Sequence, residues 1–306
     1  MRLVTEHAAL QDALGAAPSI HAAYRFTVKL REHSAALAGC VDRVLAGLRE
    51  AIPGLGANLA IDGSDLPAYA NGMRDLPNGK PREHYADPDA SWGHRSEIST
   101  RKGGGFYGYK VHAAVCTKTD LPVAWRIETA CDSEYEYMPS LLDTAIRRGF
   151  TPGTCVLDKG YDGSGIYAAC ESRDIRPVIP LKLTVNVVNG KHKPPSCQHG
   201  VWTFAGSDTK RGASKWRCPT RECQPASVWV KADRLHTLIP RTTDRWKAFY
   251  RTRGAVERGF GRLKHEWGML PLRVRRLPRI RLHVDLTILA YLACALAKAR
   301  AVPLAA

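Results

Sequence analysis

The segment YRTRGAVERGFGRLK, from Tyr250 to Lys264, constrains the chain more than any other. On a helix that turns about 100° per residue, Tyr250, Arg253, Glu257 and Lys264 fall within an arc of roughly 60°, so one carboxylate stands among two cations and a phenol. A second stripe, Phe249, Val256, Phe260, Leu263 and Trp267, lies beside the first, while Lys247, Arg251, Arg258 and His265 point away from both. Such a helix packs and presents chemistry at once. A Glu257–Arg253 pair at i, i+4 spacing could also be an ordinary surface pair, worth only a few tenths of a kcal/mol.

The company Glu257 keeps favours chemistry. Two aspartates close candidate strands, Asp62 in LAIDGSDL, with Asp65 a close alternative, and Asp158 in TCVLDKGYDG. Three separated carboxylates on such elements point to a metal site. Two divalent ions about 3.5–4 Å apart activate a water or a 3′-hydroxyl and stabilise the leaving oxygen of an in-line displacement at phosphorus. Magnesium keeps several waters, so a few carboxylates suffice. Asp62 would bridge both ions, Asp158 and Glu257 would each hold one, and Tyr250, Arg253 and Lys264 would position phosphates or orient Glu257.

The charge balance agrees. Against 29 Asp and Glu the chain carries 45 Lys and Arg, a formal net of +16, which favours a polyanionic partner, nucleic acid before membrane. Nine cysteines, an odd number at irregular spacing, and an N-terminus without an apolar leader segment point to a reducing compartment, the cytoplasm. The apolar run 286–297 is too short to span a bilayer and reads as a buried C-terminal helix.

Taken in order, residues 1–56 read as a helical region, with Leu37, Val41, Val44, Leu45 and Leu48 at helical spacing, for packing or dimerisation rather than DNA contact. Residues 57–183 give a strand ending at Asp62, a polar loop 71–105, a hairpin of GYKVHAAVC and LPVAWRIETA, a helix from Met138 to Arg148, a strand ending at Asp158, a short helix and a further strand. The basic end of that loop, RKGGGFYGYK, suits a phosphate backbone or a solvated turn. His112, inside the hairpin, reads as packed rather than as a ligand. Residues 184–234 form an insertion, and residues 235–306 bring Glu257, an arginine-rich run suited to DNA, and the apolar last helix. The order predicts an α/β fold, a mixed sheet flanked by helices.

The insertion contains Cys197, His199, Cys218 and Cys223, two close pairs separated by about twenty residues, which could supply a tetrahedral zinc site. Reduced, packed cysteines in a small β subdomain are the other reading. Its Lys, Arg and Trp residues suit backbone contact and base stacking, or a core of their own.

Together, Asp62 in IDGSDL, Asp158 in LDKGYDG and the spacing Tyr250-x2-Arg253-x3-Glu257-x6-Lys264 resemble the DDE transposases of bacterial insertion sequences, in the branch with the Tyr-Arg-Glu-Lys signature. The resemblance covers about residues 58 to 300. It implies a ribonuclease-H-like fold, two Mg²⁺ or Mn²⁺ ions, endonucleolytic cleavage of DNA at an element's inverted-repeat ends, strand transfer into target DNA, and a homodimer in the synaptic complex. It also implies an insertion between the second Asp and the Glu, where residues 184–234 lie. The N-terminal region is short beside relatives with a fuller DNA-binding domain, so a truncated one is expected. A ribonuclease-H-like nuclease without strand transfer, and a domesticated DNA-binding protein without turnover, are the competing readings.

Overall fold

The computed structural model describes residues 8, 11, 12, 15, 18–95, 97, 102–182 and 193–301. Most of the first 17 residues, Arg101 of the basic loop end and the start of the insertion lie outside them. From Ile20 the chain runs through two helices, α1 (Ile20–Glu32) and α2 (Ser34–Ala51), and α2 buries Leu37, Val41, Leu45 and Leu48 on the face their spacing defines.

The sheet is built on β1 (Asn58–Pro67), whose apolar start, Leu59, Ala60 and Ile61, is wholly inaccessible to water. Antiparallel to β1 runs β3 (Gly104–Cys116), with Asp62 opposite Ala113 and Gly63 opposite His112. Two strands pair with β3 on its other side, β2 (Ser91–Arg95) and β4 (Pro122–Thr129), both antiparallel. On the far side of β1, β5 (Thr154–Val156) and then β6 (Arg176–Val178) continue the sheet in parallel. An antiparallel meander extended by parallel strands on its first member is the ribonuclease-H-like arrangement, here a mixed sheet with helices on its faces.

Three boundaries differ from the sequence reading, each for a physical reason. Asp62 is not the tip of its strand, because β1 continues against β3 as far as Pro67; it does lie beyond Ala60, where pairing with β5 stops. The polar loop 71–105 contains β2, and β3 begins already at Gly104, since backbone pairing continues where side chains give no alternating pattern. The helix expected from Met138 begins at Glu134, so α3 spans Glu134–Arg147 with Pro139 inside it.

Helices α4 (Ser164–Glu171), α5 (Asp244–Arg251), α6 (Gly254–His265) and α7 (Leu277–Ala301) complete the layers. Val256, Phe260 and Leu263 of α6 join one core with Val111, Ala113 and Val115 of β3 and with Leu141, Leu142 and Met138 of α3. Burying each such side chain contributes about 1.5–3 kcal/mol. Arg258 of α6 grips Asp120 in the β3–β4 turn through two hydrogen bonds, 2.8 and 2.9 Å, fixing the helix along its axis. The apolar run 286–297 is part of α7, which is longer than the run alone. By length and composition α7 could cross a membrane, yet Ile280, Val284, Ile288 and Leu292 are fully buried in the common core.

The insertion folds as a β7–β8 hairpin (Ser196–Cys197, Gly200–Val201) and a three-stranded sheet of β9 (Thr203–Asp208), β10 (Ala213–Arg217) and β11 (Ser227–Lys231). Its core is its own, Trp202, Trp216 and Cys218 with Phe204, Val228 and Val230 against them. Where the chain returns to the main domain, Arg234 forks onto the fully buried carboxylate of Asp162 at 2.8 and 3.0 Å, and the Lys182 N–H donates to the same group.

Candidate active site

The expected helix from Tyr250 to Lys264 is two helices. It breaks at Thr252 and Arg253, between α5 and α6, so the four signature residues do not share one continuous helical arc. Tyr250, in the last turn of α5, stacks on Trp246 with ring centres 5.2 Å apart. Arg253, the residue before α6, points back at the sheet.

That arginine joins two of the carboxylates. One guanidinium nitrogen lies 3.5 Å from Asp62 Oδ2 and another donates to Glu257 Oε1. Arg253 is 19% exposed, Asp62 17% and Glu257 64%, so the bridge runs from a shielded strand carboxylate to a solvated helix carboxylate. Burial lowers the guanidinium's pKa, but the charges of Asp62, Glu257 and the Tyr250 phenol outweigh it, and the net direction is up.

Asp62 is the perturbed group. Burial pushes its carboxyl up to about 7; Arg253 opposes this, the neighbouring charges of Glu134 and Asp158 reinforce it, and the Gly63 N–H donates to it at 2.9 Å. A carboxylate carried in that state, with like charges around it, is short of positive charge. Asp158 follows β5 and caps the 3-10 turn Lys159–Tyr161, accepting from the Gly160 N–H at 2.7 Å. Tyr161, buried beneath, has its phenol pushed up by burial and then by the charges of Asp62, Glu134 and Asp158.

Lys264 reaches the sheet three residues further along β1, where its Nζ donates to the Asp65 carbonyl at 2.6 Å and lies 3.3 Å from Asp65 Oδ1. Arg95 of β2 meets the same aspartate at 3.2 Å. Asp65 is therefore an anchor for α6 and β2. His112 is packed, its ring 5.1 Å from that of Tyr137, and burial lowers its pKa to about 4.

One carboxylate escaped the sequence reading. Glu134 opens α3 and lies over Gly63, beside Asp62, with Lys110 Nζ 3.3 Å away. The signal that could have found it is the Ser133-Glu134 pair ahead of an apolar periodic run, a helix start with an acid in the first turn.

In the insertion, the sulfurs of Cys197, Cys218 and Cys223 all lie within 4.8 Å of one another, Cys197 and Cys218 at 3.8 Å. Burial opposes ionisation of Cys218, but donors from Thr220 and from the Thr220 and Cys223 N–H groups bring its thiol down to about 6. Cys223 is pushed up to about 12, first by its hydrogen bond to Cys197. His199 is not in this group. It occupies the β7–β8 turn with Nδ1 3.4 Å from Glu222, so the four-ligand set expected from sequence is three sulfurs here.

With this geometry established, comparison identifies the family. Residues 56–293 match the family described as transposase DDE domain, most of the chain, and the chain belongs to that family. No curated protein matches it. A cryo-EM structure of a piggyBac transposase synaptic complex with hairpin DNA is similar at 12% identity, with a TM-score of 0.42, over 82% of this chain and 50% of that one. The chain thus spans half the length of that transposase.

Proposed function

We propose that the protein is a transposase that cleaves DNA at the ends of a mobile element and transfers the strand to a target, with Asp62, Asp158 and Glu257 as its metal-binding carboxylates. The observation that carries this is the Asp62–Arg253–Glu257 bridge over the end of the β1–β5 pair, with Asp158 at the exit of β5. Hard oxygen donors around a carboxylate raised by burial fit Mg²⁺ or Mn²⁺. Two such ions, when bound, activate the attacking oxygen and stabilise the leaving one.

The chain's own groups do the rest. Asp62 would hold an ion through its carboxylate, Asp158 is oriented by the Gly160 N–H, and Arg253 keeps Glu257 and Asp62 in register across the α5–α6 break. In cleavage a water oxygen bonds to phosphorus as the bond to the 3′ oxygen breaks, leaving a 3′-hydroxyl and a 5′-phosphate; in transfer that 3′-hydroxyl oxygen bonds to a target phosphorus, its proton passing to solvent, as the target's bond to its own 3′ oxygen breaks and frees a target 3′-hydroxyl. Tyr250, Arg253 and Lys264 are the positioning residues, and Lys264 acts through Asp65.

The DNA partner is favoured by the net charge of +16 and by Trp229, 42% exposed on β11, with Arg211 and Lys215 lying 5.3 and 5.6 Å from its ring centre. A homodimeric synaptic complex and action in the cytoplasm, at the bacterial nucleoid, complete the proposal. So does structural zinc on Cys197, Cys218 and Cys223, with His199 rotating from Glu222 as fourth ligand. Metal analysis of protein purified without added zinc tests that part; one zinc per chain that Cys218→Ser removes is expected, and a zinc-free, equally stable wild type contradicts it.

The function itself is tested with supercoiled plasmid carrying the element's ends. Mg²⁺- or Mn²⁺-dependent nicking and joining to a second DNA are expected; nicking without joining would favour a plain nuclease, and binding without nicking a DNA-binding protein.

A further inference from the structure

We propose that Glu134 is a fourth carboxylate of the metal site, a ligand to the ion it would share with Asp62. The inference rests on the divalent-metal reading above and goes beyond the three acids named in it. Its geometric basis is Gly63. A Cβ built there would stand 2.8 Å from both Cδ and Oε1 of Glu134, so the carboxylate occupies the space a side chain beside Asp62 would fill. Gly63 sits in an ordinary β-strand pairing, opposite His112, and its backbone does not call for glycine. Its missing side chain makes room for an acid.

A purely structural reading of Glu134 exists. It is the first residue of α3, where a negative charge favours the helix, and Lys110 on β3 balances it at 3.3 Å. That reading explains an acid at the helix start. It does not explain why the acid is seated against the residue next to a shielded aspartate, where like charges repel. Glu134 acts on Asp62 more strongly than Asp158 does, and both press on Tyr161, while Glu257 communicates with Asp62 through Arg253. An acid that acts on Asp62 from beside the neighbouring strand position, flanked by Lys110 at 3.3 Å, offers the hard oxygen donors a divalent cation takes. Lys110 then serves as counter-ion before the metal arrives.

The experiment is a Mn²⁺ titration of the full chain, followed by calorimetry, with nicking measured in parallel. Glu134→Gln is expected to weaken Mn²⁺ binding about tenfold or more, the scale on which metal-site partners act. Gly63→Ala retains every carboxylate and is expected to do the same, because its methyl displaces the Glu134 carboxylate. Lys110→Met is expected to leave binding equal or tighter, and Glu136→Gln, exposed in the same turn, to leave it unchanged. Wild-type Mn²⁺ affinity in both Glu134→Gln and Gly63→Ala, with binding still lost in Asp62→Asn, would overturn the role of Glu134 and leave the three-acid site standing. A wild type that binds no Mn²⁺ would overturn both. Unfolding of each variant in chelator separates a lost ligand from a lost fold, and Gly63→Ala carries the test if Glu134→Gln does not fold.

Discussion

The main sheet and the insertion solve the problem of holding polar groups in place by different means. Around β1, a continuous core from α2 to α7 supplies enough apolar burial that Asp62 is tolerated with its pKa raised to about 7. Among the described residues of the insertion Trp202, Trp216 and Cys218 form the buried cluster, and the Cys218 sulfur meets those of Cys197 and Cys223 there. A large core can carry a shielded carboxylate. A small one gathers three thiols at its centre, the group on which the proposed zinc would sit.

Asp158→Asn or Glu257→Gln should reduce metal-dependent nicking at least about a thousandfold, a loss of several kcal/mol of charge stabilisation, and leave salt-sensitive DNA binding intact. Nicking retained by either variant removes that residue from the site. In the core, Leu142→Ala should lower global stability by about 2–5 kcal/mol in a denaturant titration. Cys218→Ser, by contrast, should release the metal and raise amide exchange in β7–β11 with little effect on exchange in β1 and β3. Equal exchange changes in both regions would mean that the insertion and the sheet unfold as one unit.

The pH dependence follows from Asp62. Its folded pKa, about 7, lies above its ordinary value of 3.8, so the folded state binds more protons between these limits. Stability of the metal-free protein should therefore fall as pH rises from about 4 to about 7, by a few kcal/mol at most, and Asp62→Asn should flatten the curve. Metal binding should run the other way and tighten as pH rises, since the cation must displace that proton. The smallest effect belongs to Arg258→Ala, whose guanidinium is 55% exposed although its partner Asp120 is buried; thermal unfolding should shift by about 1 kcal/mol or less.

Much of this contrast was legible in the residues themselves. The apolar runs before Asp62 and Asp158 gave two neighbouring strands, and the stripe Val256, Phe260, Leu263 gave the buried face of α6. The break at Thr252 and Arg253 was not legible, because neither residue forbids a helix; it is set by tertiary docking, Trp246 and Tyr250 packing near β5 and β6 while α6 lies along β1 and β3. Glu134 was missed because the apolar periodicity that marks this helix starts only at Met138, whereas α3 begins one turn earlier with the polar stretch that carries the acid. His199 failed to join the cysteines because spacing records that a side chain is near in sequence, not which way a tight turn throws it.

Asp62 and Asp158, at the end of the β1–β5 pair, are the proposed holders of the divalent cations. Crystals soaked in Mn²⁺ and measured at the manganese absorption edge test this assignment most directly. Anomalous density between Asp62 and Asp158 is expected, with Arg253 withdrawn from Asp62 toward Glu257. Manganese bound elsewhere, with the Arg253–Asp62 contact intact and no density at the two aspartates, would contradict it.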